Sequence, residues 1–157
     1  MCGIVGVVAQ RNATPILIRG LQRLEYRGYD SAGLAIVDAD GVLKRLREVG
    51  KVKNLVDAVE RTPVTGGTGI AHTRWATHGE PSKKNAHPHN VGDITIVHNG
   101  IIENFQEIKN KFSFNKFYSS DTDSEVIAHL INFYFQKTSN FLDSFILALK
   151  ELNGSYA

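Results

Sequence analysis

The chain has 157 residues, 42% of them hydrophobic, enough for one globular domain that buries roughly two thirds of its unfolded surface. Basic residues number 18 against 16 acidic, a formal charge of +2, and the dispersal of Lys and Arg argues against a nucleic-acid partner. No apolar run approaches the ~18 residues that cross a bilayer, and the N-terminus lacks the basic start of a signal peptide. A single cysteine excludes an internal disulfide framework or a multi-thiolate metal site, so a cytoplasmic protein in a reducing compartment is expected.

In chain order, residues 2–9 form an Ile- and Val-rich run with Gly3 and Gly6, which reads as a buried strand beginning at the second residue. Asn12 is placed to cap a helix carrying Ile16, Leu17, Leu21 and Leu24 at helical spacing, with Gly28 as its stop signal. Residues 31–37 and 42–49 flank Asp38-Ala39-Asp40-Gly41, a hairpin signal. A short helix is expected over 52–60, and strands over 68–73 and 93–98. Between these strands lies a polar stretch with Gly79, Pro81 and Pro88, which has loop chemistry and is a candidate lid. Helices follow over 123–135, with Val126, Ile127, Leu130 and Ile131, and over 140–152, with Phe141, Phe145, Ile146 and Leu149. Strands first and helices last make an α+β class.

The position of Cys2 is the chemical signal. An unperturbed thiol titrates near ~8.5 and an α-amino group near ~7.7–8.0, so passing the proton from sulfur to amine within one terminal residue costs about 1 kcal/mol. A lysine base would be held neutral at neutral pH only at about 4 kcal/mol. Nucleophile and base can thus be the same residue, provided Met1 is removed, because an amide nitrogen accepts no proton. A lone cysteine is otherwise most often a core residue.

Four blocks decide between these readings. Cys2-Gly3-Ile4-Val5-Gly6 resembles the opening of class II glutamine amidotransferases. Arg23-Leu24-Glu25-Tyr26-Arg27-Gly28-Tyr29-Asp30-Ser31-Ala32-Gly33 resembles their hexosamine-forming branch. His72-Thr73-Arg74-Trp75-Ala76-Thr77-His78-Gly79 is similar to its glutamine-binding loop, and Val97-His98-Asn99-Gly100-Ile101-Ile102-Glu103-Asn104 to its oxyanion segment. The resemblance covers essentially the whole chain. It implies the four-layer αββα sandwich of N-terminal nucleophile hydrolases, with residues 1–157 the first part of a glutaminase domain that continues further in the family. The family's sugar isomerase domains are absent from this chain. Unpaired strand edges, marginal stability or association with another chain are therefore expected.

The resemblance implies Cys2 as nucleophile, with the Asn99 side-chain amide and Gly100 N–H as donors to the developing oxyanion. The bland alternative for Asn99-Gly100 is a tight hairpin turn. The free end of L-glutamine carries a carboxylate and an ammonium. A fork such as Arg74, with Thr77 and His78, suits the first, and Asp123 is assigned the second by resemblance. Asp121 or Thr122 is alternatively a cap for the following helix. By resemblance Trp75 gates ammonia passage and sits on a closing loop, and Arg27 supports the nucleophile from behind. Five histidines (72, 78, 87, 89 and 98) crowd one stretch, but the proline-interrupted spacing of His87 and His89 suits no metal, so packing and hydrogen bonding are expected of them. No cofactor is implied. Fructose 6-phosphate is implied as acceptor only through the missing isomerase domains, and a homodimer for the full-length protein. The alternatives are another class II enzyme, such as the phosphoribosyl pyrophosphate amidotransferase, or a glutamine-binding module without turnover.

Overall fold

The computed structural model describes residues 2–157, apart from the side chain of Arg27. The chain divides into two compact units, Met1–Pro88 and His89–Ala157.

In the first unit, β1 (Gly3–Val8), β2 (Ser31–Val37), β3 (Leu43–Val49) and β4 (Thr68–Arg74) form an antiparallel sheet in the order β1-β4-β2-β3. Two helices, α1 (Thr14–Leu24) and α2 (Val52–Arg61), supply Leu17, Leu21, Val52 and Leu55 to a core shared with Leu34, Ile36 and Ala71. Leu17 and Leu21 lie one helical turn apart, so a single stripe of α1 is buried. Asn12 does serve the start of α1, its Oδ1 accepting the Thr14 N–H at 3.1 Å, although the N-cap position itself is Ala13. Gly28, left-handed at φ 72, closes the short 3-10 turn that follows α1, as the sequence suggested. The Asp38–Gly41 hairpin also forms, with Asp38 Oδ1 accepting the N–H groups of Asp40 and Val42.

Two expectations for this unit change. The run at residues 2–9 was expected to be buried, but β1 is an edge strand with Val8 87% exposed; an apolar run does not say how many neighbours a strand has. The polar loop after β4, the candidate lid, is exposed or half-buried only over residues 75–84. Asn85 and Ala86 are fully buried and His87 nearly so, because residues 84–88 lie against the sheet. Arg47 donates to the carbonyls of Lys84 and Ala86, and Arg45 to that of Pro88. Gly33 makes this approach possible: a Cβ there would sit 2.0 Å from the His87 carbonyl oxygen.

The second unit holds the β5 (His89–Val91) and β6 (Ile94–Ile96) hairpin, the pair β7 (Gly100–Ile102) and β8 (Gly154–Tyr156), and helices α3 (Phe105–Lys111), α4 (Glu125–Thr138) and α5 (Phe141–Glu151). Val126, Ile127, Leu130 and Ile131 of α4 are buried as their spacing predicts, beside Ile94, Ile102, Ile108 and Phe114. The single strand expected over 93–98 is instead the second arm of a hairpin, and α3 was not foreseen. The apolar set read for α5 does not form its buried face. Phe141, Phe145 and Ile146 are exposed, while Ser144 and Ala148 are buried. Small residues let α5 pack closely on α4, and Ser144 Oγ meets Thr138 Oγ at 2.7 Å. The class is α+β, as expected.

Candidate active site

The register of β1 on β4 aligns Gly3 with Thr73, and the Gly3 N–H donates to Thr73 Oγ1 at 3.2 Å. This places Cys2 beside the chain as it leaves β4. The Trp75 backbone N–H donates to Cys2 Sγ at 3.1 Å, and Sγ lies 3.7 Å from the Trp75 carbonyl oxygen. Met1, whose removal the expected nucleophile chemistry calls for, lies outside the described residues, as does the Arg27 side chain.

Arg74 is 3% exposed. One terminal nitrogen of its guanidinium faces Asp30 Oδ1 at 3.5 Å and the Glu80 carbonyl at 3.4 Å, and the other donates to the carbonyls of His78 and Gly79. In this structure the planar fork expected to take a substrate carboxylate is holding its own loop. Thr77 and the indole of Trp75 are exposed, and His78 is half-buried with Nδ1 3.4 Å from Thr77 Oγ1. Asp30 was not singled out from the sequence, although it lies in the Tyr-Asp-Ser part of a motif block. Its Oδ1 also accepts from Ser31 Oγ at 3.0 Å, and its Oδ2 accepts the Ala76 N–H. Gly28, Tyr29, Asp30, Trp75, Ala76 and Pro81 line a shallow cavity of about 210 Å³.

The other candidate residues belong to the second unit. Asn99-Gly100 is not a hairpin turn: Gly100 opens β7 with φ 141 and pairs with Tyr156, while Asn99 exchanges two 2.9 Å backbone bonds with Ala157. Asp123 is buried, and its Oδ2 accepts the Ile102 N–H at 2.7 Å. Neither Asp121 nor Thr122 caps α4. The cap position is Ser124, which makes no side-chain capping bond and whose hydroxyl meets His98 Nδ1 at 2.7 Å. Burial pushes the His98 pKa below its ordinary value, against the opposing pull of the Asp123 charge and the Ser155 carbonyl, so the imidazole is neutral at pH 7.

Glu125 is a second residue the sequence reading passed over. It is 2% exposed and accepts from Ser119 N–H and Oγ and from Ser120 N–H at 2.7–2.9 Å, with His129 Nε2 at 3.4 Å. Burial alone would raise its pKa, but the His129, Ser120 and Ser119 contacts overcome this and hold the carboxyl well below the usual carboxylate range. Glu125 thus fixes the segment that carries Asp123. The remaining histidines take packing and hydrogen-bonding roles: His72 stacks on His87 at 4.1 Å, and His89 Nε2 lies 3.0 Å from Thr122 Oγ1.

A family model described as a glutamine amidotransferase domain matches residues 57–153. The chain belongs to this family. Among its relatives are proteins named glutamine–fructose-6-phosphate aminotransferase (isomerizing), 58% identical in Vibrio cholerae, 57% in Vibrio parahaemolyticus and 55% in Haemophilus influenzae. Each match covers 99% of this chain, which spans 26% of the length of those relatives. Two solved structures share the fold over 100% of this chain and 34% of theirs, at 25% identity. One is the glutamine phosphoribosylpyrophosphate amidotransferase of B. subtilis with ADP and GMP, at a TM-score of 0.81, and the other an allosteric regulatory enzyme of purine biosynthesis, at 0.83. The N-terminal nucleophile hydrolase type expected from the opening residues is the fold these relatives carry.

Proposed function

We propose that the chain is the N-terminal, glutamine-hydrolysing part of a glucosamine-6-phosphate synthase, and that Cys2 attacks the side-chain amide of L-glutamine. The observation that carries this reading is the thiol at the head of β1 with the Trp75 N–H on its sulfur, in a chain whose relatives bear the aminotransferase name. After Met1 is removed, the Cys2 amine takes the thiol proton and sulfur bonds to the amide carbon. Negative charge then develops on the oxygen, where the Asn99 side chain and Gly100 N–H would receive it; one such donor typically contributes about 3–4 kcal/mol. The C–N bond breaks as the ammonium returns its proton to the departing ammonia, and water hydrolyses the thioester to glutamate.

Arg74, Thr77 and His78 are assigned the substrate carboxylate and Asp123 the ammonium. Because the Arg74 guanidinium already holds the loop carbonyls of His78, Gly79 and Glu80, taking a carboxylate means exchanging some of these bonds. Loop position and glutamine binding are thereby linked. Trp75 is assigned the gating of ammonia, and Arg27 the support of the nucleophile. In the full-length protein, a cytoplasmic homodimer, the ammonia would aminate fructose 6-phosphate in the isomerase domains. The relatives' names favour this acceptor over phosphoribosyl pyrophosphate, since identity reaches 58% with the former and 25% with the latter.

Ammonia release from glutamine, compared between this chain and its Cys2→Ala variant, tests the proposal. Loss of release in the variant is expected. Release that survives the substitution removes Cys2 from the mechanism, and binding without release by the parent chain leaves the glutamine-binding module in its place.

A further inference from the structure

The nucleophile's surroundings are set by a residue that does not touch it. The Trp75 N–H reaches Cys2 Sγ at 3.1 Å, yet Trp75 leads into a loop and its side chain is half exposed. Past Arg74 the pairing of β4 ends, and an amide at the end of a strand keeps its direction only if something beside it is held. Asp30 supplies that hold. Its Oδ2 accepts the Ala76 N–H, the amide next to Trp75. Its Oδ1 is fixed by Ser31 Oγ at 3.0 Å and the Arg74 guanidinium at 3.5 Å. Its backbone N–H donates to the Arg74 carbonyl at 3.0 Å, and its carbonyl accepts the Gly50 N–H at 2.7 Å. Asp30 is therefore bonded on either side of Trp75, at Arg74 and at Ala76, and is anchored itself.

We propose that Asp30 is a positioning residue for the nucleophile: by clamping residues 74 and 76 it aims the Trp75 N–H at the Cys2 sulfur. The carboxylate form is what this geometry needs. Both oxygens accept, Oδ2 from a backbone N–H and Oδ1 from a hydroxyl and a guanidinium, so an amide of the same shape must set an NH2 against a donor on one side. The inference rests on Cys2 being the nucleophile, but its test requires no glutamine turnover.

Cys2 is the only cysteine in the chain, so iodoacetamide reports on this one sulfur. Alkylation at pH 7 is followed by mass spectrometry for the parent chain, Asp30→Asn and Asp30→Ala, and for Ile36→Val as a mild core truncation that controls for lost stability. The groups held against a thiol set its reactivity, so alkylation about three- to tenfold slower is expected for both Asp30 variants. Faster amide exchange at Trp75 and Ala76 should accompany it in Asp30→Asn, whereas Ile36→Val stays within twofold of the parent in alkylation rate. A folded Asp30→Asn chain that is alkylated at the parent rate with unchanged exchange at these two amides overturns the proposal. So does an equal slowing in Ile36→Val. If Asp30→Ala fails to fold, the near-isosteric Asn variant decides alone.

Discussion

Replacing Gly100 with alanine should detach β8 and disable the proposed oxyanion segment together, and the size of the effect follows from the backbone. At φ 141 an L side chain is strained, which costs about 1–3 kcal/mol. The new Cβ would sit 1.9 Å from the Ser155 carbonyl oxygen and 2.6 Å from its carbon, whereas ordinary carbon–oxygen contacts lie near ~3.3 Å. The strands must part by roughly 1.4 Å to reach that distance. Such a displacement ends the two 2.9 Å bonds between Asn99 and Ala157, each worth about 1 kcal/mol net. The sum is about 3–5 kcal/mol. Because β8 is exposed along its length, most of this should appear as local opening rather than unfolding of the unit. The expected readout is amide exchange at Asn99 and Glu103, whose N–H groups donate to Ala157 and Asn153, faster by on the order of 100- to 1,000-fold, with glutamine hydrolysis falling by at least about 100-fold. Gly154→Ala meets the Ile101 carbonyl at 2.1 Å and should open the same strand pair from the other side, with a smaller loss of activity. Parent-like exchange at Asn99 and Glu103 in Gly100→Ala, with turnover retained, would refute the argument.

Glu125→Gln should destabilise the protein by about 2–3 kcal/mol at pH 7, because charge-assisted bonds to a buried carboxylate are lost; urea unfolding measures this. Since the folded-state pKa of Glu125 is depressed, its contribution is present above the unfolded value near ~4.3 and fades as pH falls below it. The parent chain should therefore lose stability more steeply than Glu125→Gln in titrations from pH 5 to pH 3, and parallel curves would contradict the assignment. Arg74→Lys keeps the charge but not the fork that holds His78, Gly79 and Glu80. It should raise the KM for glutamine about tenfold or more and open the loop to proteolysis, whereas an unchanged KM would remove Arg74 from the substrate site.

Cys2 stood out because its proposed chemistry depends on covalent position: once Met1 is removed, a thiol at residue 2 needs no fold to lie beside a terminal amine. Helix α4 was legible because four apolar residues at helical spacing sufficed to mark its buried face. Helix α5 was legible as a helix, but its buried face was not, because its packing is governed by Ser144 and Ala148, whose small size carries no hydrophobic signal. The roles of Asp30 and Glu125 were out of reach for another reason. Each matters through bonds to backbone amides, and every residue offers the same amide to a reader of the sequence.

The order of the side chains alone determined the family blocks, the thiol at residue 2 and the apolar stripes, since these depend on residue type and spacing along one dimension. Tertiary structure decided that Arg74 turns inward onto its own loop, that Asn99-Gly100 opens a strand rather than closing a turn, and that Trp75 presents its N–H to sulfur. Those outcomes depend on where backbone donors and acceptors fall once strands have paired, and pairing joins residues that the sequence keeps far apart.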